Sequence, residues 1–104
     1  MPVLFADAAA RDLEAIVAYI ADHNRQSAED VYRAIAAAAR QLDRFPALGR
    51  PGRIDGTREL VVGQSPYILV YAVDGADAVI VAVFHGSRDF AAAMAGRALP
   101  PETR

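Results

Sequence analysis

Few side chains here can do acid–base or anion-binding chemistry, and they are unevenly placed. His23 and His85 are the two groups whose ordinary titration falls near neutral pH. His23 lies in the polar stretch Asp22–Gln26 and reads as surface. His85 ends the most apolar run of the chain and precedes Gly86-Ser87-Arg88-Asp89. A histidine there serves either as a general acid or base or as a strand-end group bonded to its loop. Two histidines without metal-ligand spacing do not build a metal site, and nothing calls for a cofactor. Arg50, Arg53, Arg58 and Arg88 form a candidate anion- or partner-binding set, since arginine forks suit phosphates and carboxylates. They converge if the loop 46–56 meets the end of the last strand. Arg58-Glu59 and Arg88-Asp89 also allow internal ion pairing. Tyr67 and Tyr71, four apart on one strand face, read as core before base stacking. There is no cysteine, no lysine, no phosphate-cradling glycine loop and no nucleophile-elbow motif.

The frame for these residues is small. The 104 residues fit one domain, placed at 1–95, with a loose tail at 96–104. A composition of 54% hydrophobic and 23% charged residues excludes a disordered chain. No apolar run approaches the roughly 20 residues of a membrane span, and no secretory signal opens the sequence, so a cytoplasmic protein is expected. The net charge is −2 and all 11 basic residues are arginine, which argues against general coating of nucleic acid. The charge is segregated. Residues 1–39 and 59–104 are acidic, whereas Arg40, Arg44, Arg50, Arg53 and Arg58 face only Asp43 and Asp55 within 40–58. That stretch is either a solvated loop or a local binding patch.

Periodicity supplies the elements. Pro2–Ala6 reads as a strand. Asp7 is an N-cap candidate for a helix whose Leu13, Ile16, Val17 and Ile20 share a face. Ser27 is the cap expected for a second helix of about 18 residues, with Val31, Ile35, Ala38, Leu42 and Phe45 inward and Pro46 as its stop. A short connection predicts an antiparallel helical hairpin. Pro46–Gly56 is a loop by composition. Thr57–Val62, Tyr67–Val73 and Ala78–Phe84 read as strands, the last covered on both faces. Asp74-Gly75 marks a hairpin within a loop of about four residues. A short helix after Ser87 would bury Phe90 and Met94. The order β-α-α-β-β-β, with a short terminal helix, is an α+β layout: a helical hairpin on a small, mainly antiparallel sheet.

From Val3 to about Phe90 the chain resembles the RelE/ParE superfamily of bacterial toxins. The resemblance rests on Ala10-Arg11-Asp12-Leu13, Ile16 and Tyr19-Ile20, then Leu42 and Phe45-Pro46. It continues through Leu48-Gly49-Arg50, Pro51-Gly52-Arg53, Gly56-Thr57-Arg58-Glu59-Leu60, Pro66-Tyr67-Ile68 to Tyr71, and His85-Gly86-Ser87-Arg88-Asp89. It implies a cognate antitoxin whose disordered segment folds on the toxin, giving a hetero-oligomer. It also implies one of two targets, the mRNA on the ribosome or DNA gyrase. The acidic balance, the missing lysine and Phe90 at the place of a catalytic aromatic favour the ParE branch, a non-enzymatic gyrase inhibitor. Binding candidates are then Arg50, Arg53, Arg58, Tyr71, His85 and Arg88. The alternatives are a metal-independent endoribonuclease, with His85, Arg88 and Arg58 carrying cleavage beside Arg50 and Arg53, and a non-toxic antitoxin-binding member.

Overall fold

The computed structural model describes residues 2–100. A first strand β1 (Val3–Phe5) leads into helices α1 (Asp7–Ala21) and α2 (Arg25–Arg44). Strands β2 (Arg50–Pro51), β3 (Arg58–Val61), β4 (Tyr67–Asp74) and β5 (Asp77–His85) follow, and α3 (Phe90–Met94) closes the order. The five strands form one sheet in the order β1-β5-β4-β3-β2. β1 runs parallel to β5, with Val3 opposite Ala78; the other pairings are antiparallel. The α+β architecture is thus as the residue pattern predicts.

The sheet is covered on both faces, which explains why β4 and β5 are apolar between their polar ends. On one face, α1 and α2 bury Ala9, Ile35, Ala38, Ala39 and Leu42 against Val62, Leu69, Tyr71, Ile80 and Val83. On the other, α3 brings Ala93 and Met94 onto Val70, Val81, Ala82 and Phe84. Alternation along β5 breaks once. Val70 pairs with Ala82 but Tyr71 pairs with Ile80, so Val81 is the extra residue of a bulge. Val81 and Ala82 consequently face the same core, between Ile80 and Val83 on the opposite side.

Several boundaries differ from the expectation. Helix α2 starts two residues before Ser27, because Asn24 Oδ1 accepts the Ser27 N–H at 3.0 Å and acts as the cap. Asp7 is the first residue of α1 rather than its cap; Ala6 holds that position without a side-chain bond. Phe45, placed on the inward stripe, is 58% exposed, since α2 ends at Arg44 and the chain turns away before Pro46. The loop 46–56 contains the two-residue strand β2 at the sheet edge. The β4–β5 hairpin is tighter than expected: Asp74 pairs with Asp77 around Gly75, whose φ of 59° suits glycine.

The stretch expected to trail from Gly96 is anchored at Arg97. Its Nε donates to Ala93 O at 3.1 Å, its Nη1 to Val81 O at 3.0 Å and its Nη2 to Asp12 Oδ1 at 2.7 Å. Residues 101–104 of that tail lie outside the described residues. Among the described residues no helix is long and apolar enough to cross a membrane.

Candidate functional site

Two of the four candidate arginines meet. β2 pairs with β3 so that Arg50 lies opposite Glu59. The Glu59 side chain is 1% exposed, those of Arg50 and Arg53 are 61% and 50% exposed. Arg50 Nη2 donates to Glu59 Oε1 at 3.2 Å, and Arg53 Nη2 to the same oxygen at 3.0 Å. Oε2 accepts from Arg53 Nε at 3.2 Å and from the Arg53 backbone N–H at 2.8 Å. The guanidinium of Arg53 lies over the Phe90 ring, 3.7 Å from its centroid. A buried carboxylate thus clamps two half-open arginines, and one of them is pinned to α3.

Burial pushes the Glu59 carboxyl up, but hydrogen bonds from the Arg53 side chain and backbone and from Arg50 outweigh it and leave it below its ordinary value of 4.5. A lowered folded-state pKa stabilises the fold above that ordinary value, and the gain is lost as pH falls through the folded value. Urea midpoints of wild type and Glu59→Gln should therefore differ most near neutrality. The difference should shrink as pH drops below about 4.5. An equal gap at neutral and acidic pH would show that the ionised carboxylate is not what stabilises this corner.

Arg58 and Arg88 do not join this pair. Arg58 leaves β3 on the opposite face from its neighbour Glu59, and its Nη1 donates to Gly49 O at 2.7 Å. Arg88 is exposed and, among the described residues, its side chain has no hydrogen-bond or ion-pair partner. It borders a cleft of about 310 Å³ with Asp12, Ile16, Tyr19, Tyr67 and His85. The expected Arg88–Asp89 pairing is absent, because Asp89 Oδ1 caps α3 by accepting from Ala91 N at 2.9 Å. The Arg58–Glu59 pairing that adjacency allows is absent too, since neighbours on a strand point to opposite faces; the internal ion pairing joins Glu59 to Arg50 and Arg53 instead.

His85 is exposed at the end of β5. Its Nδ1 accepts the Ser87 N–H at 3.1 Å, which assigns the proton of the neutral ring to Nε2. Tyr67 meets the ring edge-on, with centroids 5.5 Å apart. Tyr71 is a correction to the list of binding candidates. It is fully buried, accepts from Gly49 N at 2.9 Å and donates to Pro46 O at 2.7 Å. Its proton and one lone pair are used inside the protein, and its full burial keeps a partner from reaching it. Burial raises its phenol above the ordinary value of 10.0.

The sequence reading missed Glu59 as the organiser of the arginines. A single acid inside the strand run Thr57–Val62 was the available signal. It also missed the apolar groove on the helical side. Leu13 and Val17 of α1, Phe5 of β1, and Tyr32 and Ala36 of α2 line a groove of about 610 Å³. Arg40, Asp43 and Arg44 border a second hollow beside it, lined by Val3, Phe5, Ala36 and Ala39.

This fold has known counterparts. The sequence model for the ParE toxin of type II toxin–antitoxin systems (parDE) matches residues 3–90. A protein of Sinorhizobium fredii named "Putative toxin Y4kP" is 40% identical over 82 residues, covering 79% of this chain and 84% of that one. Among solved structures, a chain from the chromosomal ParDE system of P. aeruginosa superposes with a TM-score of 0.72 at 24% identity. The match covers 82% of this chain and 95% of that one. A chain of the RelBE2 toxin–antitoxin complex from Mycobacterium tuberculosis gives a TM-score of 0.61 at 27% identity, covering 81% and 95%. These define a type II toxin of the RelE/ParE superfamily. Within it, the chain belongs to the ParE toxin family.

Proposed function

We propose that this toxin acts on DNA gyrase by protein–protein contact and is neutralised by a cognate antitoxin. The observation that carries the gyrase reading is the match to the ParE family over residues 3–90, the branch that the resemblance ties to gyrase. The side chains support it. A nuclease needs groups free to move a proton and hold a phosphate in one place. Here Arg58 bonds a backbone carbonyl, Tyr71 is buried and Phe90 carries no proton to exchange, so His85 and Arg88, exposed on the rim of one cleft, are the open groups that a cleavage assay must test. A gyrase target places its work in the cytoplasm.

The antitoxin reading rests on the groove between β1, α1 and α2. Leu13, Val17 and Tyr32 offer an apolar trough that suits the apolar stripe of an amphipathic helix, with Arg40 and Arg44 beside it for acidic flanks. The decisive experiment pairs a gyrase supercoiling assay with a ribosome–mRNA cleavage assay on the purified toxin. Inhibited supercoiling that added antitoxin reverses is the expected result. Ribosome-dependent cleavage abolished by His85→Ala or Arg88→Ala would replace this reading with the endoribonuclease. Induction without growth arrest would identify a non-toxic family member.

A further inference from the structure

We propose that Arg50 and Arg53, held by Glu59, form a two-pronged fork that docks an acidic segment of the target protein. This rests on the protein-target reading above and names the surface that serves it. A guanidinium carries five N–H donors. Arg50 spends one on Glu59 and keeps four; the Arg53 side chain spends two and keeps three. Both side chains are at least half exposed, while the carboxylate that fixes them is hidden from solvent. The fork therefore presents positive charge and unspent donors outward, with its own counter-ion behind it. Arg53 is further fixed by its stacking on Phe90 and by the turn that brings its backbone N–H to Glu59. Side chains ordered before contact lose less entropy on binding.

The geometry selects the partner. Paired guanidinium forks match carboxylates bidentately. Nucleic-acid affinity draws on many phosphate contacts, roughly 6–10 for a tight binder. Two arginines, with the exposed Asp55 in the same loop and no lysine in the chain, fall short of that. Recognition through strand addition is also disfavoured here. β2 is the outer strand of the sheet, and its Pro51 has no N–H to offer. Side chains, not main chain, must make the contact. The fork sits on the α3 face of the sheet, opposite the helical groove, so the two contacts can be separated by mutation.

The test measures gyrase inhibition, antitoxin affinity and melting temperature for two variants. Arg50→Ala leaves the Arg53–Glu59 bonds in place. The triple variant Arg50→Gln/Arg53→Gln/Glu59→Gln removes the three charges together and leaves no buried ion unpaired. Half-inhibitory concentration should rise about tenfold or more for the triple variant and by a smaller factor for Arg50→Ala, with antitoxin affinity unchanged. Wild-type inhibition should weaken with added salt. If the triple variant unfolds, Arg50→Ala alone decides, and wild-type potency in it overturns the fork. Wild-type potency in a folded triple variant also overturns the fork while gyrase inhibition itself stands. No inhibition by the wild type removes the protein-target reading and the fork with it. Weakened retention of RNA or duplex DNA, with unchanged inhibition, would reassign these arginines to nucleic acid and overturn the proposal.

Discussion

Asp12→Ala should lower the stability of the fold by about 3 kcal/mol, the low end of the cost of leaving one member of a buried ion pair alone, since this pair keeps a small solvent exposure. β1 ends at Phe5, opposite Ile80, so beyond that point β5 has no strand on its outer side. Asp12 and Arg97 fill the place of the missing strand. Asp12 Oδ2 accepts the Val83 N–H at 3.0 Å, and Arg97 Nη1 donates to Val81 O at 3.0 Å. The two side chains then close on each other at 2.7 Å, each 13% exposed. Alanine at position 12 leaves the Val83 N–H without its acceptor and the Arg97 guanidinium without its anion.

At roughly 4–8 °C per kcal/mol for a domain near this size, the melting temperature should fall by at least about 12 °C. Asp12→Asn, which keeps an oxygen for Val83, should cost less. Arg97→Ala should also destabilise, and the double variant should cost less than the two single losses combined. An Asp12→Ala protein within about 1 kcal/mol of wild type would show that the edge needs no such cover, whereas additive losses would show that the two side chains cover it independently. A second readout is association, since an uncovered strand edge is a template for a further strand.

What made the sheet and the hairpin readable was local. Leu13 and Ile16, or Ile35, Ala38 and Leu42, recur at helical spacing, and Asp74-Gly75 turns a chain flanked by apolar runs. The site depended on contacts between distant residues, which no period records. Arg97 meets Asp12 across 85 positions, and Tyr71 meets Pro46 across 25. Proximity in sequence misled in the same way. Glu59 looked like a partner for adjacent Arg58, yet the pleat sends the two to opposite faces, and Glu59 takes Arg50 and Arg53 instead. The reading of Arg50 and Arg53 as a binding patch came from composition alone. That both stay half exposed while sharing one buried carboxylate could be seen only after folding.

The other large effect is expected where the arginine loop leaves α2. Tyr71 stands on the central strand β4, and its hydroxyl fastens both Pro46 and Gly49. Gly49 has no room for a side chain: a Cβ there would lie 2.8 Å from Tyr71 Cε1 and 2.9 Å from Glu59 O. Gly49→Ala must therefore displace either the ring or strand β3, costing about 1–3 kcal/mol by overpacking. Gly49→Val should cost more and lower the yield of folded protein. Tyr71→Phe removes the clamp without adding bulk. It leaves the buried Gly49 N–H unpaired, at a cost of about 1–3 kcal/mol. Because Arg50 follows Gly49 directly, loosening this clamp should also blur the arginine fork. Tyr71→Phe should then weaken target inhibition by a larger factor than it weakens antitoxin binding, measured at a temperature where the variant is folded. Equal weakening of both would mean that the clamp supports the fold at large, and unchanged stability would mean that packing of the Tyr71 ring alone holds the loop.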